Sequence, residues 1–180
     1  MSQLISIENT EAIPAMYRDS AVELLLQYHN LGKDFDKYER AQMLIGMCMD
    51  NRKHLRIPEN FSYIIRTAGA NMRYSEFRVS YAIAVGGVKA MALIGHNNCG
   101  MVNLMSRREL FIEGLMQNAG WTRDEAEEHF YHYEPVHEIG DEVSFIISEV
   151  KRLRLRYPKV IVAPMFYNVE DNKIYLIAEE

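Results

Sequence analysis

Three short, almost unbroken apolar runs constrain this chain most: Met43-Leu44-Ile45-Gly46-Met47-Cys48-Met49, Phe61-Ser62-Tyr63-Ile64-Ile65 and Ala90-Met91-Ala92-Leu93-Ile94. Runs of this length without polar alternation suit strands buried on both faces, as in a parallel sheet covered by helices. Helical periodicity surrounds them. The spacing predicts a helix over 75–85 with Phe77, Tyr81, Ala84 and Val85 on one side, and helices near 101–119 and 122–133. The last of these opens with Thr122 and Glu125 at capping-box spacing. From Asp141 the set Val143, Ile146, Ile147, Val150 and Leu153 keeps helical period up to Pro158. Residues 160–169 and 173–178 read as two strands joined by a Glu-Asp-Asn turn. The first 40 residues read as a helical extension. In it Pro14 suits an early helix position, and Met16, Val22, Leu24, Leu25, Leu26 and Tyr28 form an apolar face up to a stop at Asn30-Leu31-Gly32. The expected fold class is α/β: an N-terminal helix, a central mostly parallel β-sheet flanked by helices, and a C-terminal antiparallel edge hairpin.

Composition narrows the function classes. The chain has 180 residues, 48% of them hydrophobic, and shows no repeat or linker, which implies one domain over 1–180. Twenty basic against 25 acidic residues leave a net charge of −5, without the basic excess of a phosphate-reading nucleic-acid binder. No apolar run approaches the roughly 20 residues of a membrane span, and the opening Met-Ser-Gln-Leu-Ile-Ser-Ile-Glu-Asn lacks the pattern of a secretory signal. The expectation is a cytoplasmic protein without a membrane or nucleic-acid partner. Only two cysteines are present, Cys48 and Cys99. They read as buried apolar thiols, a redox pair or metal ligands.

Ligands of an open parallel sheet gather beyond the carboxyl ends of its strands. Two of those ends are chemically loaded here: Cys48-Met49-Asp50-Asn51-Arg52 and His96-Asn97-Asn98-Cys99-Gly100. If the two strands are neighbours, Cys48, His96 and Cys99 converge. Two thiolates and one imidazole make a good zinc set, with the fourth tetrahedral position open as in catalytic sites.

The order Cys48-x-Asp50-x-Arg52, Arg66-Thr67-Ala68-Gly69, Ser80-Tyr81-Ala82, His96-x-x-Cys99-Gly100 resembles the β-class carbonic anhydrases, and Phe166–Ile174 resembles the last hairpin of that family. The likeness implies one zinc per chain on Cys48, His96 and Cys99, and reversible hydration of carbon dioxide to bicarbonate by zinc-bound hydroxide. It also implies a homodimer, or a dimer of dimers, with active sites near the subunit interface. Asp50 would accept a hydrogen bond from zinc-bound water or, in an inactive form, ligate zinc itself, and Arg52 would hold it off the metal. Arg66, Tyr63 and Tyr81 would surround the substrate, partly across the dimer, and Gly100 would let the backbone pass close to the metal. The chemistry agrees: zinc lowers the pKa of bound water from 15.7 to roughly 7, and an arginine fork suits a carboxylate held at two points.

The pattern departs from the family at Asn51, where Ser is common, and at Thr67 and Ala70, where Asn is common. It departs again at Ile57-Pro58-Glu59-Asn60 and Met101. None removes a metal ligand; such changes alter pocket shape and supporting hydrogen bonds. They bring in a second reading, hydrolysis of carbonyl sulfide or carbon disulfide on the same scaffold, and a third, a catalytically weak zinc-binding protein. His129, His132 and His137 read as a surface cluster, with Pro135 bending the chain before His137. They or His54 would serve as proton relays. Lys151, Arg152, Arg154 and Arg156 read as a solvated helix end.

Overall fold

In the computed structural model, which describes residues 3–179, the apolar runs form the middle of a six-stranded sheet. The elements are β1 (Leu4–Ile5), α1 (Ala21–His29), β2 (Met43–Cys48), β3 (Ser62–Thr67), α2 (Glu76–Ala84), β4 (Ala90–His96), α3 (Arg108–Ala119), α4 (Arg123–His137), α5 (Glu142–Arg156), β5 (Ile161–Asn168) and β6 (Lys173–Ile177). Strand order is β1-β6-β5-β4-β2-β3. The neighbours β3, β2, β4 and β5 run parallel, and β6 turns back antiparallel on β5 and carries β1 antiparallel on its outer edge. The α/β class, the mostly parallel sheet and the terminal hairpin are as the periodicity predicts. The hairpin turn places Asn172 at φ 58°, a left-handed position that asparagine tolerates.

Alternation along the strands builds two cores. Met43, Ile45 and Met47 of β2 and Ala90, Ala92 and Ile94 of β4 pack with Val22, Leu25, Leu26 and Tyr28 of α1. Leu44, Met91 and Leu93 face the other way, against Val79 and Ala82 of α2 and Ile146, Val150 and Leu153 of α5. Side chains pack tightly over two glycines of the sheet. A Cβ on Gly46 would lie 2.9 Å from Leu93 Cδ1, and one on Gly95 would lie 2.7 Å from Ile146 Cγ1.

Four expectations are corrected. The N-terminal helix starts at Ala21, not near Pro14. Single 3₁₀ turns cover Thr10–Ala12 and Ala15–Tyr17, Asp19 takes φ 57°, and the Ser20 side chain caps Val22 N. β3 is not buried on both faces: as the outer strand it leaves Tyr63 and Ile64 exposed. In α2 the buried residues are Val79 and Ala82, while Phe77, Tyr81 and Val85 point outward. Finally, α4 continues past Pro135 to His137, with the capping box at Thr122 and Glu125 in place. The basic end of α5 is also less free than its composition suggests. Arg152 pairs with Glu149 and Glu76, and Arg154 with Glu179. Among the described residues, no helix is long and apolar enough to cross a membrane.

Candidate metal centre

The chain runs from β2 to β3 on one side and then returns to place β4 on the other side of β2. The gap between the carboxyl ends of β2 and β4 is therefore the topological switch point, where α/β sheets open a ligand crevice. Cys48 is the last residue of β2 and His96 the last of β4. Alternation would send them to opposite faces, so they meet at the end of the sheet and not on one side of it. The turn after β4 then folds back through Asn98 at φ 55° and delivers Cys99 to the same place. One ligand atom from each of Cys48, His96 and Cys99 lies within 4.8 Å of the other two, and all three residues are buried. This is the only such group of histidine, cysteine and acidic side chains among the described residues; His129, His132 and His137 do not form one. His129 stacks instead among Phe111, Trp121 and Tyr133.

The donor set fits a zinc ion. His96 Nδ1 lies 2.9 Å from the Asn97 carbonyl oxygen, so it carries the proton and leaves Nε2 with a free lone pair. Nε2 is buried and has no hydrogen-bond partner. A buried nitrogen left bare costs stability in a finished core, and a cation supplies the missing partner. The thiols are electrostatically paired. A hydrogen bond from Cys99, with those of the Asp50 and Gly69 backbone amides, holds the Cys48 thiol well below its usual range against the opposing effect of burial; the same contact, with burial, pushes Cys99 up. One thiolate is thus ready at neutral pH, and a divalent cation would bring the second to the ionised state it needs as a ligand. The Cys99 amide donates to Glu142 of α5 at 3.2 Å, tying the ligand turn to that helix.

Asp50 stands just outside this group, turned into a guanidinium fork. Arg52 Nε donates to Oδ1 at 3.0 Å, Arg52 Nη2 to Oδ2 at 2.6 Å, and the Arg52 amide to Oδ1 at 2.9 Å. The fork holds the carboxyl well below the usual carboxylate range. Arg52 Nη2 also reaches the Asn98 carbonyl at 3.0 Å, joining the Asp50 loop to the His96–Cys99 turn.

The remaining candidates divide. Arg66 does come to the site, as a clamp on its loop. It donates to the carbonyls of Cys48 (3.2 Å), Asp50 (3.3 Å) and Lys53 (3.1 Å). Tyr63 and Tyr81 do not approach the cluster within one chain. Tyr63 pairs with Leu44, four residues before Cys48, or about 13 Å down the strand; its ring lies against Gly86, and it shares an outer groove with Ile64, Phe77 and Tyr81. At Gly100 a Cβ would meet no protein atom within 4 Å, so the chain's own packing does not demand glycine there. Ala70 occupies φ 61°, a left-handed conformation that the asparagine of the resembled pattern adopts more readily. Sequence reasoning missed Lys53, fully buried beside Asp50; only its place directly after the Asp-x-Arg motif marks it.

A largely apolar cavity of about 370 Å³ is lined by Ala68, Met101, Leu104, Phe111, Phe130 and Tyr133 with His129, Glu134 and His137; none of Cys48, Asp50, His96 or Cys99 lines it, and Met101, which packs against Cys48 and Cys99, connects the two.

No family model matches the sequence, and no curated protein sequence matches it. Solved structures do match. A carbonic anhydrase from Glaciozyma antarctica superposes with a TM-score of 0.60 at 22% identity, over 78% of this chain and 85% of that one. The β-carbonic anhydrase isoform I of Trichomonas vaginalis gives 0.59 at 16% identity, over 93% and 100%. A carbon disulfide hydrolase in its apo form gives 0.53 at 19% identity, over 75% and 77%. The chain therefore has the β-carbonic anhydrase fold, with a buried Cys-His-Cys group consistent with one metal site at its switch point.

Proposed function

We propose that this chain is a zinc enzyme that hydrates carbon dioxide to bicarbonate reversibly. The observation that carries the reading is the buried Cys48–His96–Cys99 group, with His96 Nε2 bare and Asp50 clamped beside it. Cys48, His96 and Cys99 would hold the metal. When bound, zinc supplies Lewis acidity and an acidified water at neutral pH. The Asn97 carbonyl fixes the His96 tautomer. Arg52 keeps Asp50 ionised and turned aside, as an acceptor available to orient a nucleophile's proton and not as a fourth anion on the cation. Arg66 fixes the loop that carries both Cys48 and Asp50, so that this geometry is set before substrate arrives.

Hydrolysis of a sulfur analogue is the second reading. It is supported by the likeness of the fold to a carbon disulfide hydrolase; the apolar cavity lined in part by Met101 and Ala68 suits an uncharged, poorly hydrated substrate of either kind. A homodimer completes the proposal. The outer groove on β3 and α2 exposes Phe77 by 81%, Tyr81 by 54%, Ile64 by 45% and Tyr63 by 42%, an apolar patch of the kind that marks protein interfaces. It would set Tyr63 and Tyr81 toward a second copy.

Stopped-flow hydration on fully zinc-loaded protein at pH 8 and above tests the reading, with carbonyl sulfide and carbon disulfide assayed in parallel. Catalysis of hydration well above the uncatalysed rate is the expected result. Hydration at the uncatalysed rate with turnover of a sulfur substrate would transfer the assignment, and inactivity on all three would refute enzymatic use.

A further inference from the structure

Besides His96, the lysine, arginine and carboxylate side chains buried among the described residues are Lys53 and Glu149. Glu149 is matched by a two-point contact from Arg152 at 2.7 and 2.9 Å. Lys53 has no such partner. Its ammonium donates to the Asp50 carbonyl at 3.2 Å and stands 3.9 Å from Asp50 Oδ1, with no other acceptor in hydrogen-bonding contact. An ammonium taken out of water with one hydrogen bond is costly unless anions surround it. The groups facing it are the Asp50 carboxylate, the sulfurs of Cys48 and Cys99, and the guanidinium of Arg66. Burial lowers the Lys53 pKa, while Cys48, Asp50 and Cys99 oppose that and Arg66 adds to it.

Asp50 is held from two sides of different character. The Arg52 side chain is 45% exposed, so solvent and salt screen its attraction, whereas Lys53 is 0% exposed and acts through the protein interior. Arg66 reinforces the inner contact by sharing the Asp50 carbonyl and taking that of Lys53.

We propose that Lys53 is a positioning residue. From the interior, beside the closer hold of Arg52, it keeps the Asp50 carboxylate off the Cys48–His96–Cys99 group, so that loss of Arg52 alone releases Asp50 onto a bound cation only in part. The inference rests on the metal reading of that group.

Cobalt(II)-substituted protein titrated with azide and followed in the visible spectrum tests it, because azide enters only a coordination position that Asp50 has left free. Arg52→Ala is expected to weaken azide binding in part, and Arg52→Ala/Lys53→Met to weaken it at least about tenfold further, since two unit charges about 4 Å apart interact strongly away from solvent. Adding Asp50→Asn to the double variant should restore affinity. A purely structural role, or a direct effect of the lost charge on azide, would persist in the Asp50→Asn background. Lys53→Gln keeps a donor to the Asp50 carbonyl and removes the charge. Paired with Arg52→Ala it should behave as Lys53→Met does, and it carries the test if the methionine variant misfolds. A double variant that binds azide no more weakly than Arg52→Ala, or a further loss that Asp50→Asn does not reverse, overturns the role of Lys53 and leaves the metal centre standing. Failure of the unsubstituted protein to take up cobalt overturns the metal centre itself, and this inference with it.

Discussion

Gly95 sits between Ile94 and His96 at the point where α5 presses on β4, and Gly95→Ala tests whether that contact positions the metal centre. A Cβ there would stand 2.7 Å from Ile146 Cγ1, 3.4 Å from Ile146 Cδ1 and 3.5 Å from the Glu142 carbonyl oxygen. Carbon atoms at optimal contact are about 3.5–4.0 Å apart, so the overlap is roughly 1 Å. Ile146 is 1% exposed, and its Cγ1 lies too near its own backbone to swing away, so the helix must move. Overpacking of this kind costs about 1–3 kcal/mol. The displacement also reaches the site, because Glu142 on the same helix accepts the Cys99 amide. Urea unfolding followed by circular dichroism should show the loss, and zinc should leave the variant faster when challenged with a chelator. Ile146→Ala alone costs about 2–5 kcal/mol, but in the double variant the added methyl fills part of the space. The two costs should therefore fall short of additivity by about 1 kcal/mol or more. A stability change for Gly95→Ala within about 0.5 kcal/mol of zero, with zinc retention unaltered, would refute the reasoning.

Cys99→Ser should strip the metal, seen by elemental analysis, whereas Asp50→Asn should keep it and lose hydration activity. Full activity in Asp50→Asn would remove the role given to that carboxylate. Arg66→Leu deletes three contacts to the Cys48–Lys53 loop. It should cost about 1–3 kcal/mol in urea unfolding, since Arg66 is solvent-exposed, and slow hydration with the metal retained. Asp141 caps α5, and the Ser144 amide, 2.7 Å away, holds its carboxyl below the ordinary 3.8. A depressed folded pKa gives stability that is fully present above the unfolded value and lost as pH falls through the folded one. Asp141→Ala should therefore cost about 1 kcal/mol at pH 7, with the gap to the parent protein closing below pH 3.8.

The Cys48–His96–Cys99 group is legible in the sequence because its signal is local and its geometry is imposed by topology. Apolar runs without alternation announce strands with neighbours on both sides, and Cys48 and His96 fall where two such strands end. Gly95 hid the last turn of β4, since the apolar run stops at Ile94 while the backbone pairing continues through His96 to Tyr167. The face of α2 is not legible for a different reason. Phe77, Tyr81 and Val85 recur at four-residue spacing as a core stripe would, yet the smaller Val79 and Ala82 turn inward and leave the larger side chains on the surface. Periodicity locates a stripe but does not say which partner covers it. β1 pairs two residues with Ile177 and Leu176 from the opposite end of the chain, a contact too short and too distant in sequence to mark either segment. The burial of Lys53 is not legible in the sequence because lysine is rarely buried. Only the three-dimensional arrangement of anions makes its burial tolerable.

Metal content, read together with the identity of the ligands, tests the central claim most directly. Zinc-loaded protein should contain about one equivalent per chain, and the cobalt form should show intense near-ultraviolet sulfur-to-metal charge transfer that Cys48→Ser and Cys99→Ser each weaken or abolish. Protein that takes up no stoichiometric metal, or that keeps its metal and spectrum when both cysteines are replaced, would contradict the account.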